Sequence, residues 1–194
     1  MDYQELQLLK LELGIKAKKG SDFIISASIV WFIIAYIWST QLEVQDKGVV
    51  TFIVGILMLP MALIFSKLLR TNWKILNNPL QPLGLWLYFS QLFYFPFLVF
   101  VLLKHPEYFV MTYAVITGAH LFPYAWFYDD NKYAIIAGII SSSSLIIGLN
   151  VPFAFMFCIP LFTAATLLSM FFLLWVSIPQ TNRKWEEMSV TTVK

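Results

Sequence analysis

Two side chains in the apolar middle of this chain could do chemistry: the amide of Gln91 and the imidazole of His120. An amide donates and accepts hydrogen bonds, and an imidazole can also exchange a proton near neutral pH. Both groups are costly to bury in hydrocarbon, so such residues commonly face a cavity or one another. The alternative is that they only join neighbouring helices through hydrogen bonds, which average about 0.6 kcal/mol each in membrane proteins.

Further polar side chains recur around these two at helical spacing. From Tyr113 to Tyr124 they follow one another at intervals of four, three and four, and Tyr88 precedes Gln91 by three. Such intervals place residues on one face of a helix. At 1.5 Å per residue, Gln91 and His120 lie at a common depth of about 10 to 12 Å. We therefore predict a ligand-binding cavity lined by Gln91, His120, Tyr88, Tyr113, Thr117, Tyr124, Ser141 and Ser169, although interhelical hydrogen bonding remains the alternative for the serines and the threonine.

The predicted membrane segments hold no Asp, Glu, Lys or Arg, which narrows the chemistry. Proton pumps commonly use an intramembrane carboxylate, and metal sites need clusters of His, Cys or carboxylates. These segments offer one histidine, His120, and one cysteine, Cys158, on different helices, and the chain has no G-x-S-x-G motif of a serine hydrolase. We therefore expect no catalytic residue, no bound metal and no cofactor, with an intramembrane lipid-modifying enzyme as a third hypothesis.

The elements that must position these side chains follow from composition. Of 194 residues, 59% are hydrophobic and only 12% are charged, where a soluble domain averages about 25% charged. Apolar runs without charge are long enough to cross a bilayer as helices. The predicted fold is an all-α polytopic membrane protein whose residues 21–178 form a six-helix transmembrane bundle. Its spans lie at about 23–39, 49–66, 83–103, 108–127, 134–149 and 153–176.

The two ends of the chain are polar. Residues 1–20 alternate leucines with charges at helical spacing, which predicts an amphipathic helix at the membrane interface. No small-residue cleavage site follows the first apolar run, so we interpret that run as a retained anchor. Residues 179–194 are predicted to form a cytoplasmic tail. In the fifth span, small residues four apart, Gly138 with Ser142 and Ser144 with Gly148, favour close helix packing.

The positions of the basic residues predict the orientation. With six spans, eleven of the 13 Lys and Arg residues lie on the side of the two termini, and only Lys47 and Lys104 lie on the other. Cytoplasmic loops carry the excess of basic residues, so both termini are expected in the cytoplasm. The net charge of +2 gives no reason to expect a nucleic-acid partner.

Residues 78 to 134 carry recognisable motifs. Asn78-Pro79-Leu80 opens the third span, Gln91 follows within it, and Gly118-Ala119-His120-Leu121-Phe122-Pro123 lies in the fourth. This pattern resembles an uncharacterised family of small bacterial six-span membrane proteins, known as a domain of unknown function. The resemblance implies a single helical bundle in the bacterial plasma membrane, and it implies no activity, cofactor or substrate.

Two main functions remain open. In the first, the bundle binds or transports a small neutral or amphiphilic molecule through a cytoplasm-facing cavity at the level of Gln91 and His120. In the second, the protein is a structural or regulatory membrane partner without a substrate, acting through residues 1–19, 67–82 and the tail. The expected partners are the lipid bilayer, a small-molecule ligand, and a second copy of the chain or another membrane protein.

Overall fold

The computed structural model describes residues 3–192 and contains no strand within that range. Nine α-helices account for most of it, and short 3₁₀ turns join several of them. In chain order these are α1 (Tyr3–Lys16), α2 (Ser21–Ser39), α3 (Val44–Gly55), α4 (Met58–Leu69), α5 (Gln81–Ser90), α6 (Phe95–Lys104), α7 (Phe109–Phe127), α8 (Lys132–Asn150) and α9 (Cys158–Thr192). The prediction of an all-helical chain is confirmed.

Several helical stretches could cross a membrane by their length and composition. Within the described residues there are five: Lys18–Ser39, Val44–Leu69, Gln81–Lys104, Lys132–Asn150 and Phe153–Val190. The remaining predicted span corresponds to α7, which has 19 residues, as α8 does. Length therefore does not distinguish α7 from these five stretches. Its hydropathy is lower because polar residues, including His120 and two threonines, interrupt its apolar sequence.

Prolines coincide with two breaks within the predicted spans. The second predicted span divides into α3 and α4 at Ile56 and Leu57, just before Pro60, and the third divides at the 3₁₀ turn Gln91–Tyr94, just before Pro96. Proline lacks an N–H, and its ring clashes with the carbonyl group four residues earlier, so the preceding turn leaves the regular α-helix. The second break changes the backbone at Gln91 itself.

Helix α7 packs most extensively on α8, while α2 packs along α9. Close approach between α7 and α8 depends on Gly118, where a Cβ atom would lie 2.5 Å from Ser141 Oγ and 2.9 Å from its backbone nitrogen. Ser144 is buried and Gly148 lies against Met111, as the small-residue spacing predicts. The predicted packing at Gly138 is wrong, because this residue is exposed and a Cβ there would meet no atom within 4 Å.

Both ends of the chain are more structured than the sequence suggests. Helix α1 packs against α9 and buries Leu11 and Leu13, so its apolar side faces protein. Helix α9 continues through Pro179 to Thr192, and Gly14 of α1 lies beside Thr181 of this extension. The described part of the predicted tail is therefore helical, and Val193 and Lys194 lie outside the described residues.

We call the end of the bundle where Lys18 and Lys19 lie the basic end. The Lys18 ammonium donates to the carbonyl oxygen of Leu69 at 2.5 Å, and that of Lys19 donates to Asp130 at 2.7 Å. These contacts bring the α1–α2 link, the end of α4 and the α7–α8 turn together. The chain reverses between α1 and α2 through left-handed backbone at Lys18, Lys19 and Gly20, a conformation that glycine adopts without steric cost.

Candidate functional site

A cavity of about 310 Å³ lies inside the bundle, between α2, α4, α5 and α7. Its wall contains most of the residues that the sequence pattern predicts. Six of the eight line it: Tyr88, Gln91, Tyr113, Thr117, His120 and Tyr124. The structure thus brings the polar faces of the third and fourth predicted spans together around one space.

Ser141 and Ser169 lie outside this cavity. Ser141 is at the α7–α8 contact, where its hydroxyl donates to the carbonyl oxygen of Val115 at 3.2 Å. Ser169 is exposed on α9 and donates to the carbonyl oxygen of Ala165 at 2.9 Å in its own helix. Their common depth with Gln91 does not place them on the same face, because each belongs to a helix whose inward face is set by other neighbours.

The helices give the cavity residues specific neighbours. Tyr113 packs against Trp31 of α2, with 5.1 Å between ring centroids, and its hydroxyl lies near Gly55 at the end of α3. Two turns further along α7, the rings of His120 and Tyr124 lie 5.5 Å apart. The spacing of four, three and four on α7 therefore places three rings and the Thr117 hydroxyl on one inward face.

Several polar groups of the cavity wall are available to hydrogen-bond with a ligand. Within residues 3–192, the side chains of Tyr88, Gln91, Tyr113, His120 and Tyr124 make no hydrogen bond to another protein group. Their polar atoms are not sealed in the core either, since Ser144 carries the one fully buried, unpartnered side-chain oxygen or nitrogen in the described chain. The hydroxyl, amide and imidazole groups are thus open to the cavity and can bind a molecule inside it.

Aromatic rings line the part of the cavity nearest the basic end. Phe23 stacks on Trp73 with 4.9 Å between centroids and lies 5.5 Å from Tyr88. At the end of α7, Tyr124 stacks with Tyr128 at 6.0 Å between centroids. All five rings line the cavity, so a molecule here can contact rings of both groups.

A carboxylate that the sequence analysis missed also lines the cavity. Asp22 is 1% exposed, and its Oδ2 atom accepts hydrogen bonds from Trp73 Nε1 at 2.5 Å and from Thr71 Oγ1 at 2.7 Å. The predicted first span began at residue 23, so Asp22 fell just outside it. Its position at the edge of an apolar run was the available signal, but no pattern in the sequence links it to Trp73, 51 residues away.

Helix α1 and the 70–80 segment cover the cavity at the basic end. The Asn78 amide nitrogen donates to the carbonyl oxygen of Leu9 at 2.9 Å and to Glu12 Oε2 at 2.8 Å, which ties the segment to α1. Burial opposes ionisation of Glu12, but the hydrogen bonds from Lys16 and Asn78 outweigh it and lower the pKa of Glu12. Leu13 from α1 and Ile75 from the segment contribute to the cavity wall.

The wall between α4 and α5 is the more open side. Helix α4 packs on α2, whereas α5 packs on α7. Leu59 of α4 and Leu85 and Phe89 of α5 all line the cavity, and they are 43%, 55% and 41% exposed. These partly exposed apolar side chains therefore belong both to the cavity wall and to the outer surface of the bundle.

A buried ion pair supports the site from outside. Lys19 and Asp130 are 2.7 Å apart with 5% of each side chain exposed, and Lys19 also donates to Ser177 Oγ at 3.1 Å. Burial would raise the pKa of Asp130, but the hydrogen bonds and positive charges of Lys19 and Lys132 lower it overall. Throughout residues 3–192, no group of three or more His, Cys, Asp or Glu side chains is arranged to hold a metal ion.

Comparison with models of protein families shows which family the chain belongs to. A model of a family of unknown function, DUF7010, matches residues 6–177. The chain belongs to this family. The predicted relationship to a domain of unknown function is thereby confirmed, and the DUF7010 match extends well beyond the motifs at residues 78 to 134. No curated protein and no solved structure matches the chain.

Proposed function

We propose that this DUF7010 protein binds or transports a small neutral or amphiphilic molecule in the cavity at the level of Gln91 and His120. The observation that carries the proposal is the convergence of unpaired polar groups from α5, the following 3₁₀ turn and α7 on one aromatic-walled space. Ligand sites are typically apolar concavities with a few converging polar groups. A volume of about 310 Å³ suits a small molecule.

The proposal includes six spans, with α7 as the fourth, both termini in the cytoplasm, and a place in the bacterial plasma membrane. Phe109, Val110 and Ala114 of α7 are fully buried between the other helices, so neighbouring helices shield much of its surface from lipid. Tyr113, Thr117, His120 and Tyr124 of α7 line the cavity, which makes the lower hydropathy of this helix compatible with spanning. The excess of Lys and Arg at the basic end supports a cytoplasmic location for that end.

We further propose that the ligand enters sideways between α4 and α5. The basic end is covered by α1 and the 70–80 segment, while the exposed side chains of Leu59, Leu85 and Phe89 form the α4–α5 wall. An amphiphilic molecule that partitions into the bilayer would reach the cavity from this side without crossing the cover.

Filling the cavity tests the proposal. Ala27 of α2 lines it, and Ala165 of α9 is exposed on the outside of the bundle, so Ala27→Phe and Ala165→Phe make the same substitution inside and outside. The probe is meta-tert-butylphenol, added to the full chain in lipid nanodiscs, and the readout is tryptophan fluorescence, because Trp31 and Trp73 line the cavity. We expect saturable binding by the wild type and by Ala165→Phe, and at least a tenfold weaker signal for Ala27→Phe.

Two results would contradict it: no saturable binding by the wild type, or equal binding by the two phenylalanine variants. Thermal unfolding in the same nanodiscs is the control, since Ala27→Phe must remain folded at the assay temperature for its loss of binding to count.

The alternative of a membrane partner without a substrate is favoured by one feature. Residues 182–187 at the end of α9 are all exposed and include Arg183 and Lys184. Deleting residues 183–194 separates the two functions, because a partner role would be lost while probe binding persists. Deleting residues 1–19 would not separate the two functions, because it removes the buried Leu13 and Lys19 and disturbs the bundle.

A further inference from the structure

Among the described residues that line the cavity there is an acidic side chain but no positively charged one. Asp22 is the one formally charged side chain among the described residues that line it, and no Lys or Arg contributes to the wall. The two lysines nearest in sequence are engaged elsewhere: Lys19 with Asp130 and Ser177, and Lys18 with the carbonyl oxygen of Leu69. The described chain thus gives Asp22 no cationic partner.

The groups that contact Asp22 are neutral donors. Trp73 Nε1 and Thr71 Oγ1 both donate to Oδ2 of Asp22. This arrangement suits an ionised carboxylate, which only accepts hydrogen bonds. Burying such a charge is costly unless an opposite charge accompanies it. A cationic group in the cavity would supply the missing charge.

The rings beside Asp22 suit an organic cation better than an inorganic one. Trp73, Phe23 and Tyr88 are in successive contact, and the stacked rings of Tyr124 and Tyr128 also line the cavity. The faces of aromatic rings attract ammonium groups, and quaternary ammonium ligands are typically held in aromatic cages. An inorganic divalent ion would need several oxygen ligands, whereas the cavity offers one carboxylate.

We infer that the cavity selects an amphiphilic organic cation, with its ammonium group beside Asp22 and the surrounding rings and its apolar part toward the α4–α5 wall. The apolar part then contacts Leu59, Leu85 and Phe89, which line that side. This inference rests on the proposed function and specifies the class of ligand: a substituted amine or quaternary ammonium compound.

The test compares two probes of nearly equal shape that differ by one charge. These are meta-hydroxyphenyl-trimethylammonium and meta-tert-butylphenol, measured by tryptophan fluorescence with the full chain in nanodiscs of zwitterionic lipid. We expect the wild type to bind the cation about tenfold more tightly than the neutral probe. Asp22→Asn keeps the size of the side chain and removes its charge, so this preference should fall to about twofold or less. The matched control Asp46→Asn, at an exposed position on α3, should keep the wild-type preference.

Tyr88→Leu provides a second variant that leaves the Asp22 hydrogen bonds in place. It removes one ring of the aromatic wall, so affinity for the cation should fall about fivefold while affinity for the neutral probe changes less. If Asp22→Asn fails to fold, this variant and the wild-type comparison decide the question.

The outcomes separate this inference from the proposed function. Equal affinity of the wild type for both probes, tighter binding of the neutral probe, or an unchanged preference in Asp22→Asn would each overturn the organic-cation inference. In those cases, binding of the neutral probe that Ala27→Phe abolishes would still support the proposed function. If the wild type binds neither probe, both fail.

Discussion

At the scale of single residues, this protein buries charge in two different ways. Lys19 and Asp130 neutralise each other in a pair that is almost completely buried. Asp22 is equally buried but contacts only neutral donors, and it faces the cavity. The first arrangement connects three segments of the chain, and the second leaves a carboxyl group without a cationic partner where a ligand could lie.

The ion pair yields a prediction about stability. Asp130→Asn leaves Lys19 buried without a negative partner, and breaking a buried pair in this way costs about 3 kcal/mol or more. In a domain of this size that corresponds to a fall in Tm on the order of 6 °C or more. Thermal unfolding in detergent measures it. Asp129→Asn is the control, because Asp129 is exposed and its left-handed backbone is one that asparagine tolerates.

The pH dependence of unfolding gives a second measurement on the same pair. Because the pKa of Asp130 is lower in the folded chain, its stabilising effect is fully present above the ordinary carboxyl pKa of about 4. It is lost as the pH falls through the lower folded pKa. We expect Asp130→Asn to lose less stability than the wild type over that acid range. Equal acid sensitivity of both would contradict the role assigned to Asp130.

At the scale of helices, periodicity predicted which residues share a face better than it predicted where helices end. Helix α2 begins at Ser21 rather than near residue 23, and α9 continues to Thr192, well past the expected end near residue 176. Ends depend on contacts that a sequence does not display. Helix α9 continues beyond its apolar part because α1 packs against it there, including Gly14 beside Thr181.

Two glycines test the packing of α7 against α8. Gly118→Ala would place a methyl group 2.5 Å from Ser141 Oγ and 2.9 Å from its backbone nitrogen, so the helices must separate. Overpacking of this kind typically costs about 1 to 3 kcal/mol. Gly138→Ala on α8 meets open space, and the higher helix propensity of alanine should stabilise the chain by about 0.5 to 1 kcal/mol. Opposite shifts in Tm are expected, and equal shifts would exclude a specific close approach at Gly118.

At the scale of the whole molecule, segments far apart in sequence meet at the basic end. Helix α1 and the 70–80 segment cover the cavity there, and the α7–α8 turn is tied to the start of α2 by the Lys19–Asp130 pair. The segments that looked like free interfacial and loop elements are therefore part of the bundle. This arrangement leaves the α4–α5 side as the more open route to the cavity.

Cysteine labelling tests the proposed topology. In a Cys158→Ala background, cysteines at the exposed positions Lys74, Lys104 and Asn131 can be treated with a membrane-impermeant maleimide in spheroplasts. If α7 spans and both termini are cytoplasmic, Lys104→Cys is labelled in intact spheroplasts, whereas the other two react only after permeabilisation. Labelling of Lys104→Cys and Asn131→Cys from the same side would show that α7 does not cross.

The sequence by itself determined that this chain is helical and apolar enough for a membrane, and it identified six of the residues that line the cavity. It could do so because spacing along a helix sets which side chains share a face, and that property is local. It could not show that Ser141 and Ser169 face elsewhere, nor that Asp22 lies beside Trp73. Which faces meet depends on how all the helices pack.

The tertiary structure alone decided that Asp22 and Trp73, 51 residues apart, contact each other. It likewise paired Lys19 with Asp130, 111 residues apart. The charge of the cavity therefore became visible only in the folded bundle.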